Sequence, residues 1–155
     1  MPHSVQDDLS NGTLIHSGGW KKLVDQAVSP DVFRSELLGT TGLRRIHNFY
    51  GMVEQIGTIF LESELEDGSL TCPAFADVVI RDPLTFEPVP DGTVGLIETV
   101  SLLPVSYPGH AVLTEDLGQI VGTDDTQRLG RRFRVLGRIP KAEARGCSDT
   151  FAGAR

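Results

Sequence analysis

Cysteine is scarce in this sequence: 155 residues include two, Cys72 and Cys147. Two distant thiols make no disulfide framework, and with no signal-peptide pattern they predict a chain of the reducing cytoplasm. Beside four scattered histidines they also predict no zinc site. Positive charge is short as well, with 14 Lys and Arg against 21 Asp and Glu for a formal net charge of −7. That balance excludes a general nucleic-acid surface, which needs clustered cations. The basic stretches at Lys21–Lys22 and 128–134 are short and leave room only for a small phosphate ligand. No apolar run approaches the length of a membrane span. With secretion unsupported, the Asn11-Gly12-Thr13 sequon reads as accidental. A P-loop, G-x-x-x-x-G-K followed by Ser or Thr, is missing too.

What is present suits one packed domain or a piece of a larger protein, with 39% hydrophobic and 23% charged residues. Residues 1–12 are polar and read as a frayed leader; 13–147 form one region, and 148–155 a flexible tail. Thr13–Ser17 is a short strand running into Gly18-Gly19. Ser29 then caps a helix whose first position is Pro30, and Gly39 or Gly42 ends it. Val32, Phe33, Leu37 and Leu38 give that helix an apolar face. Arg45–Tyr50 is the next strand, so the opening third is a βαβ-like unit. Beyond it, Ile56–Glu62, Ala76–Arg81, Val94–Val100, Ala111–Thr114 and Arg132–Ile139 are strand candidates between Gly, Pro and Asp turns. The fold class is α+β: a βαβ fragment feeding an antiparallel β region. A parallel sheet is normally covered on both faces, and one helix cannot do that. Either another polypeptide completes the sheet or the chain belongs to a longer protein.

Several segments carry chemistry in a fixed order. "NFYGMVEQ" places Glu54 and Gln55 directly after an aromatic–glycine pair. "HSGGWKKL" precedes it, and "SLLPVSYPGHAVLTEDLG" and "LGRIPKAEARGCSDT" follow. The first resembles the Tyr-Gly-x-Thr-Glu motif of adenylate-forming enzymes, the ANL superfamily. The later two resemble that superfamily's Tyr-x-Thr-Gly-Asp segment and its Leu-Gly-Arg hinge. Together the four resemble the C-terminal half of acyl-protein synthetases of the LuxE type, relatives of phenylacetate-CoA ligases, over nearly all of the chain beyond residue 12. Family members are more than twice this length, and their Ser/Thr/Gly-rich phosphate loop lies in an N-terminal half with no counterpart here.

The resemblance implies ATP-dependent activation of a carboxylic acid, a fatty acid in the best-known members, and transfer of the acyl group to a cysteine thiol. ATP and Mg²⁺ are the implied cofactors. Glu54 would hold Mg²⁺, a hard cation that takes carboxylate oxygen and keeps several waters. Tyr50 would face the adenine, with Gly51, Gly18 and Gly19 allowing close backbone approach. Asp116 would accept from the ribose hydroxyls, and Arg138 would add fixed positive charge beside ribose and phosphate. Cys147 would carry the acyl group, with Arg145 beside it favouring the thiolate. The implied partners are the acid itself and an acyl-CoA reductase-type acceptor or a separate N-terminal half. Two departures stand out: Val53 replaces the motif threonine, and Pro140 replaces the hinge aspartate.

Taken singly, these residues have plainer readings. Glu54 is then a solvated loop acid, Asp116 a turn residue before Gly118, and Arg138 a strand-edge charge. Trp20 is expected as a packing anchor, Lys21 and Lys22 as solvated, and Cys72 as structural. Two other functions stay open: an acyl- or aryl-CoA ligase relative, and a non-catalytic nucleotide- or partner-binding remnant.

Overall fold

Hydrogen-bonding rules at its ends delimit α1 (Pro30–Thr41), the one α-helix among the described residues. The Ser29 hydroxyl accepts from the Val32 amide at 3.3 Å, and Gly42 closes the other end in the left-handed region with its amide on Leu38 O. In this computed structural model residues 9–18, 25–65 and 67–139 are described. The helix joins β1 (Thr13–Ser17) to β2 (Arg45–Tyr50), and these strands pair in parallel, as the βαβ reading predicts. Residues 9–12 form a turn in which Gly12 N donates to Leu9 O, and Arg45 donates to Asn11 O.

The remaining strands are β3 (Phe60–Glu62), β4 (Leu70–Thr71), β5 (Ala76–Arg81), β6 (Gly95–Ser101), β7 (Ala111–Thr123) and β8 (Arg131–Arg138). One eight-stranded sheet contains them all, in the order β1-β2-β3-β4-β8-β7-β6-β5, and every pair after β1–β2 is antiparallel. Three strand expectations need correction. The run expected at Ile56–Glu62 is extended only from Phe60, because Val53–Gln55 is a 3-10 turn whose backbone bonds close locally, Gln55 N on Met52 O and Thr58 N on Gln55 O. The strand expected at Ala111–Thr114 continues to Thr123, so Asp116 lies within a strand and not in a turn. Register shifts at Leu117/Gly118 and Ile120/Gly122 interrupt that long strand's pairing with β8. The two-residue β4 escaped sequence reading altogether.

The core lies where β3, β4, β5, β6, β7 and β8 bring Phe60, Leu70, Cys72, Val78, Ile80, Ile97, Ile120 and Phe133 together. Phe60 and Phe133 meet edge-on at 5.3 Å, and Tyr50 stands 6.2 Å from each. The helix contributes nothing to this core: α1 has no buried residue. Ile15 on β1 is likewise exposed, as are Leu102, Val105 and Leu129 at the opposite part of the sheet. Among the described residues β1 is an edge strand of the sheet. Among the described residues no helix is long and apolar enough to cross a membrane.

Candidate nucleotide site

Three strands converge on Asp116. β2 ends at Tyr50, whose hydroxyl donates to Asp116 Oδ2 at 2.7 Å. Asp116 and Arg138 are cross-strand partners in the β7–β8 register, and Arg138 Nε donates to Asp116 Oδ1 at 3.3 Å. The carboxylate is half-buried while the guanidinium reaches further into solvent. Burial and the neighbouring Asp116 charge push the Tyr50 hydroxyl far above the ordinary tyrosine range, so it stays a proton donor. Each Asp116 oxygen thus accepts one protein hydrogen bond and keeps capacity for another. Thr114 supports the strand here: its hydroxyl donates to Ile97 O and accepts from the Asp116 amide.

Tyr50 is more anchored than a free adenine platform needs to be. Its ring packs against Phe60 and Phe133 and its hydroxyl is engaged with Asp116. Gly51 follows directly, and a Cβ there would stand 3.3 Å from Thr58 O. Gly18 leaves β1 beside the same end of β2, since Ser17 pairs with Phe49. With φ near +98° and open space around it, Gly18 is required by the backbone and not by a protein contact. Gly19, Trp20, Lys21, Lys22, Pro140, Arg145 and Cys147 lie outside the described residues.

Glu54 stands in the 3-10 turn after β2, exposed, and its carboxylate makes no hydrogen bond or ion pair among the described residues. Nowhere among those residues do three His, Cys, Asp or Glu side chains gather as a ligand cluster. A single open carboxylate fits Mg²⁺, which takes its other ligands from phosphate and water. Sequence reading quoted Gln55 and Tyr107 without giving either a task. Gln55 is buried, and its Nε2 donates to Thr99 O at 3.1 Å and Gly109 O at 2.8 Å. The Tyr107 hydroxyl donates to Glu54 O. An amide directly after Glu54 gave the only signal, and it carries no partner information. Elsewhere, Cys72 is buried, and desolvation followed by the Asp77 charge pushes its thiol well above the ordinary range. A groove of about 480 Å³ opens beside it at the Thr123 end of β7, seven residues along the strand from Asp116.

The family described as acyl-protein synthetase, LuxE, matches residues 4–154. The long-chain-fatty-acid–luciferin-component ligase of Vibrio harveyi is 31% identical over 144 residues, which are 91% of this chain and 37% of that protein. Its namesake from Aliivibrio fischeri is 25% identical over 90% of this chain, again 37% of the relative. Among solved structures, an open conformation of 2-hydroxyisobutyryl-CoA ligase in complex with 2-HIB-AMP and CoA aligns with 81% of this chain and 27% of its own. Its TM-score of 0.61 at 20% identity is a likeness of fold. This chain therefore spans a little over a third of the curated relatives it matches, and it belongs to the LuxE family of acyl-protein synthetases.

Proposed function

We propose that this chain supplies the ribose and metal side of an ATP site at which a fatty acid is activated as its acyl-adenylate. The meeting of Tyr50, Asp116 and Arg138 from three strands carries the reading. Asp116 uses its remaining lone pairs on the ribose hydroxyls, Tyr50 and Arg138 hold it in place through one hydrogen bond each, and Gly18 and Gly19 leave room for the planar base. Glu54 would hold Mg²⁺, which would supply positive charge beside the phosphates. A carboxylate oxygen of the acid attacks the α-phosphorus, the bond to the β-phosphate breaks, and pyrophosphate leaves. The relatives' fatty-acid ligase names and the adenylate bound in the similar CoA ligase support the substrate class.

The Cys147 thiolate then attacks the acyl carbonyl and AMP leaves, so the acyl group ends as a thioester for an acyl-CoA reductase-type acceptor. The condition of Cys72 supports this choice, because a buried thiol with a raised pKa is a poor nucleophile. The CoA held by the similar ligase favours a second reading, in which coenzyme A takes the acyl group. Cys147→Ser separates them: the carrier mechanism loses acyl transfer and retains ATP–pyrophosphate exchange, whereas a CoA ligase retains both. A separate N-terminal half supplying the phosphate loop is the implied partner for full turnover. For the site itself, calorimetry of the 155-residue chain with AMP and with ATP·Mg²⁺ is the test. Binding that Asp116→Ala lowers at least tenfold is expected, and a well-folded chain whose binding ignores that substitution overturns the assignment.

A further inference from the structure

The carboxylate assigned to the metal sits on a turn that β2 alone cannot orient. Val53–Gln55 is a single 3-10 turn with no side-chain cap, and Val53, Glu54 and Ile56 are all exposed. What holds it comes from the connection between β6 and β7. Gln55 points inward and spends one amide hydrogen on Gly109 O of that connection and the other on Thr99 O of β6 itself. Its Oε1 is buried without a partner, so the residue is kept for its two donors and not for general polarity. In return, Tyr107 reaches back from the same connection and donates to the backbone carbonyl of Glu54 itself. Gly109 lets the two turns touch, since a Cβ there would lie 2.9 Å from Glu54 O and closer still to the Tyr107 ring. One turn further, the Thr58 and Ser101 hydroxyls bond at 2.7 Å and tie the exit of the segment to β6.

We propose that Gln55, Tyr107 and Gly109 form a positioning clamp for Glu54, through which the β6–β7 connection sets where the metal carboxylate stands relative to Asp116. The clamp rests on the metal reading of Glu54 given above. The clamp's hydrogen bonds involve the Glu54 backbone carbonyl and the Gln55 side chain, and none involves the Glu54 carboxylate. Any change in the Tyr107–Gly109 turn is transmitted to the acid, because one hydrogen bond from the turn ends on Glu54 and one from Gln55 ends on Gly109.

Tyr107→Phe is the decisive variant, since an exposed ring that loses one hydroxyl leaves the core intact. Two quantities are read on the 155-residue chain: amide hydrogen exchange at Gln55 and Thr58, and the gain in ATP affinity on adding Mg²⁺. Loss of one hydrogen bond is expected to speed exchange at both amides about fivefold and to reduce the Mg²⁺-dependent gain by a similar factor. AMP affinity, which needs no metal, is expected to stay within about twofold, a pattern that general destabilisation does not give. Gln55→Met, which keeps bulk and loses both donors, is expected to do the same more strongly. Unchanged exchange, or faster exchange with the Mg²⁺ gain intact, overturns the clamp. Glu54→Gln tells the two ideas apart. If it removes the Mg²⁺ gain and Tyr107→Phe does not, positioning fails and the metal reading survives. If Glu54→Gln leaves the gain intact, the metal reading fails and the clamp's purpose with it.

Discussion

Tyr50 does two jobs with one side chain, and they can be separated. Its ring belongs to the Phe60–Phe133 cluster, while its hydroxyl belongs to Asp116. Tyr50→Phe keeps the first and removes the second. Hydrogen bonds to charged groups contribute about 1.5–3 kcal/mol, and the partial exposure of Asp116 places this one near the lower end. The expected result is an unfolding free energy lowered by that amount, seen as an earlier urea midpoint at an unchanged slope, together with weaker AMP binding as Asp116 swings on Arg138 alone. An unchanged AMP affinity would remove Tyr50 from the site and leave it a core residue. The same scale explains why Cys72 and Cys147 are not interchangeable candidates, since the pKa of the Cys72 thiol is raised first by burial and then by Asp77.

At the scale of elements, the connection between β7 and β8 is organised by one carboxylate. Asp125 accepts from the amides of Gln127 and Arg128 through Oδ1 and from Ser63, Glu64 and Thr71 through Oδ2, so it binds the loop to the β3–β4 turn. Desolvation opposes its ionisation, but these donors outweigh it and hold the carboxyl down at about 2. A depressed carboxyl stabilises the fold above its unfolded pKa of about 4, and that contribution is lost as pH falls from there through 2. Thermal melts of wild type and Asp125→Asn between pH 7 and pH 2 should therefore converge at the acid end. The variant is expected to melt lower at neutral pH and to show the shallower acid slope. Asp67 and Asp82 are also lowered, so a residual slope remains in both proteins. Parallel curves would show that Asp125 contributes no pH-dependent stability.

Across the whole molecule, one sheet joins strands β1–β4 to strands β5–β8, and Phe133 lies on β8 at that seam. It is fully buried, packs edge-on to Phe60 and Tyr50, and sits on β8 opposite Leu70 of β4 and Ile120 of β7. Phe133→Ala is expected to cost about 3–5 kcal/mol of unfolding free energy and to weaken nucleotide binding through Tyr50. A loss below about 1 kcal/mol would show that this junction does not hold the two regions together. Much of this was legible in the chain itself. Ser29-Pro30 and Gly42 delimit α1 because capping is a local matter of orphan amides and carbonyls, and β1, β2 and β5 follow from short apolar runs between turn residues. The ordered motifs also carried the family, and they singled out Glu54, Asp116 and Arg138 as candidates. Local pattern could not find β4, whose two residues are extended only because β3 and β8 flank them. Nor could it carry β7 past Thr114 or give Gln55 and Tyr107 a task. Sequence determined the helix, most strands and the family, since each depends on neighbours along the chain. Tertiary structure alone decided that Tyr50 bonds an aspartate 66 positions away and that Tyr107 reaches Glu54 across 53, because such pairs exist only once the strands have taken their places in the sheet.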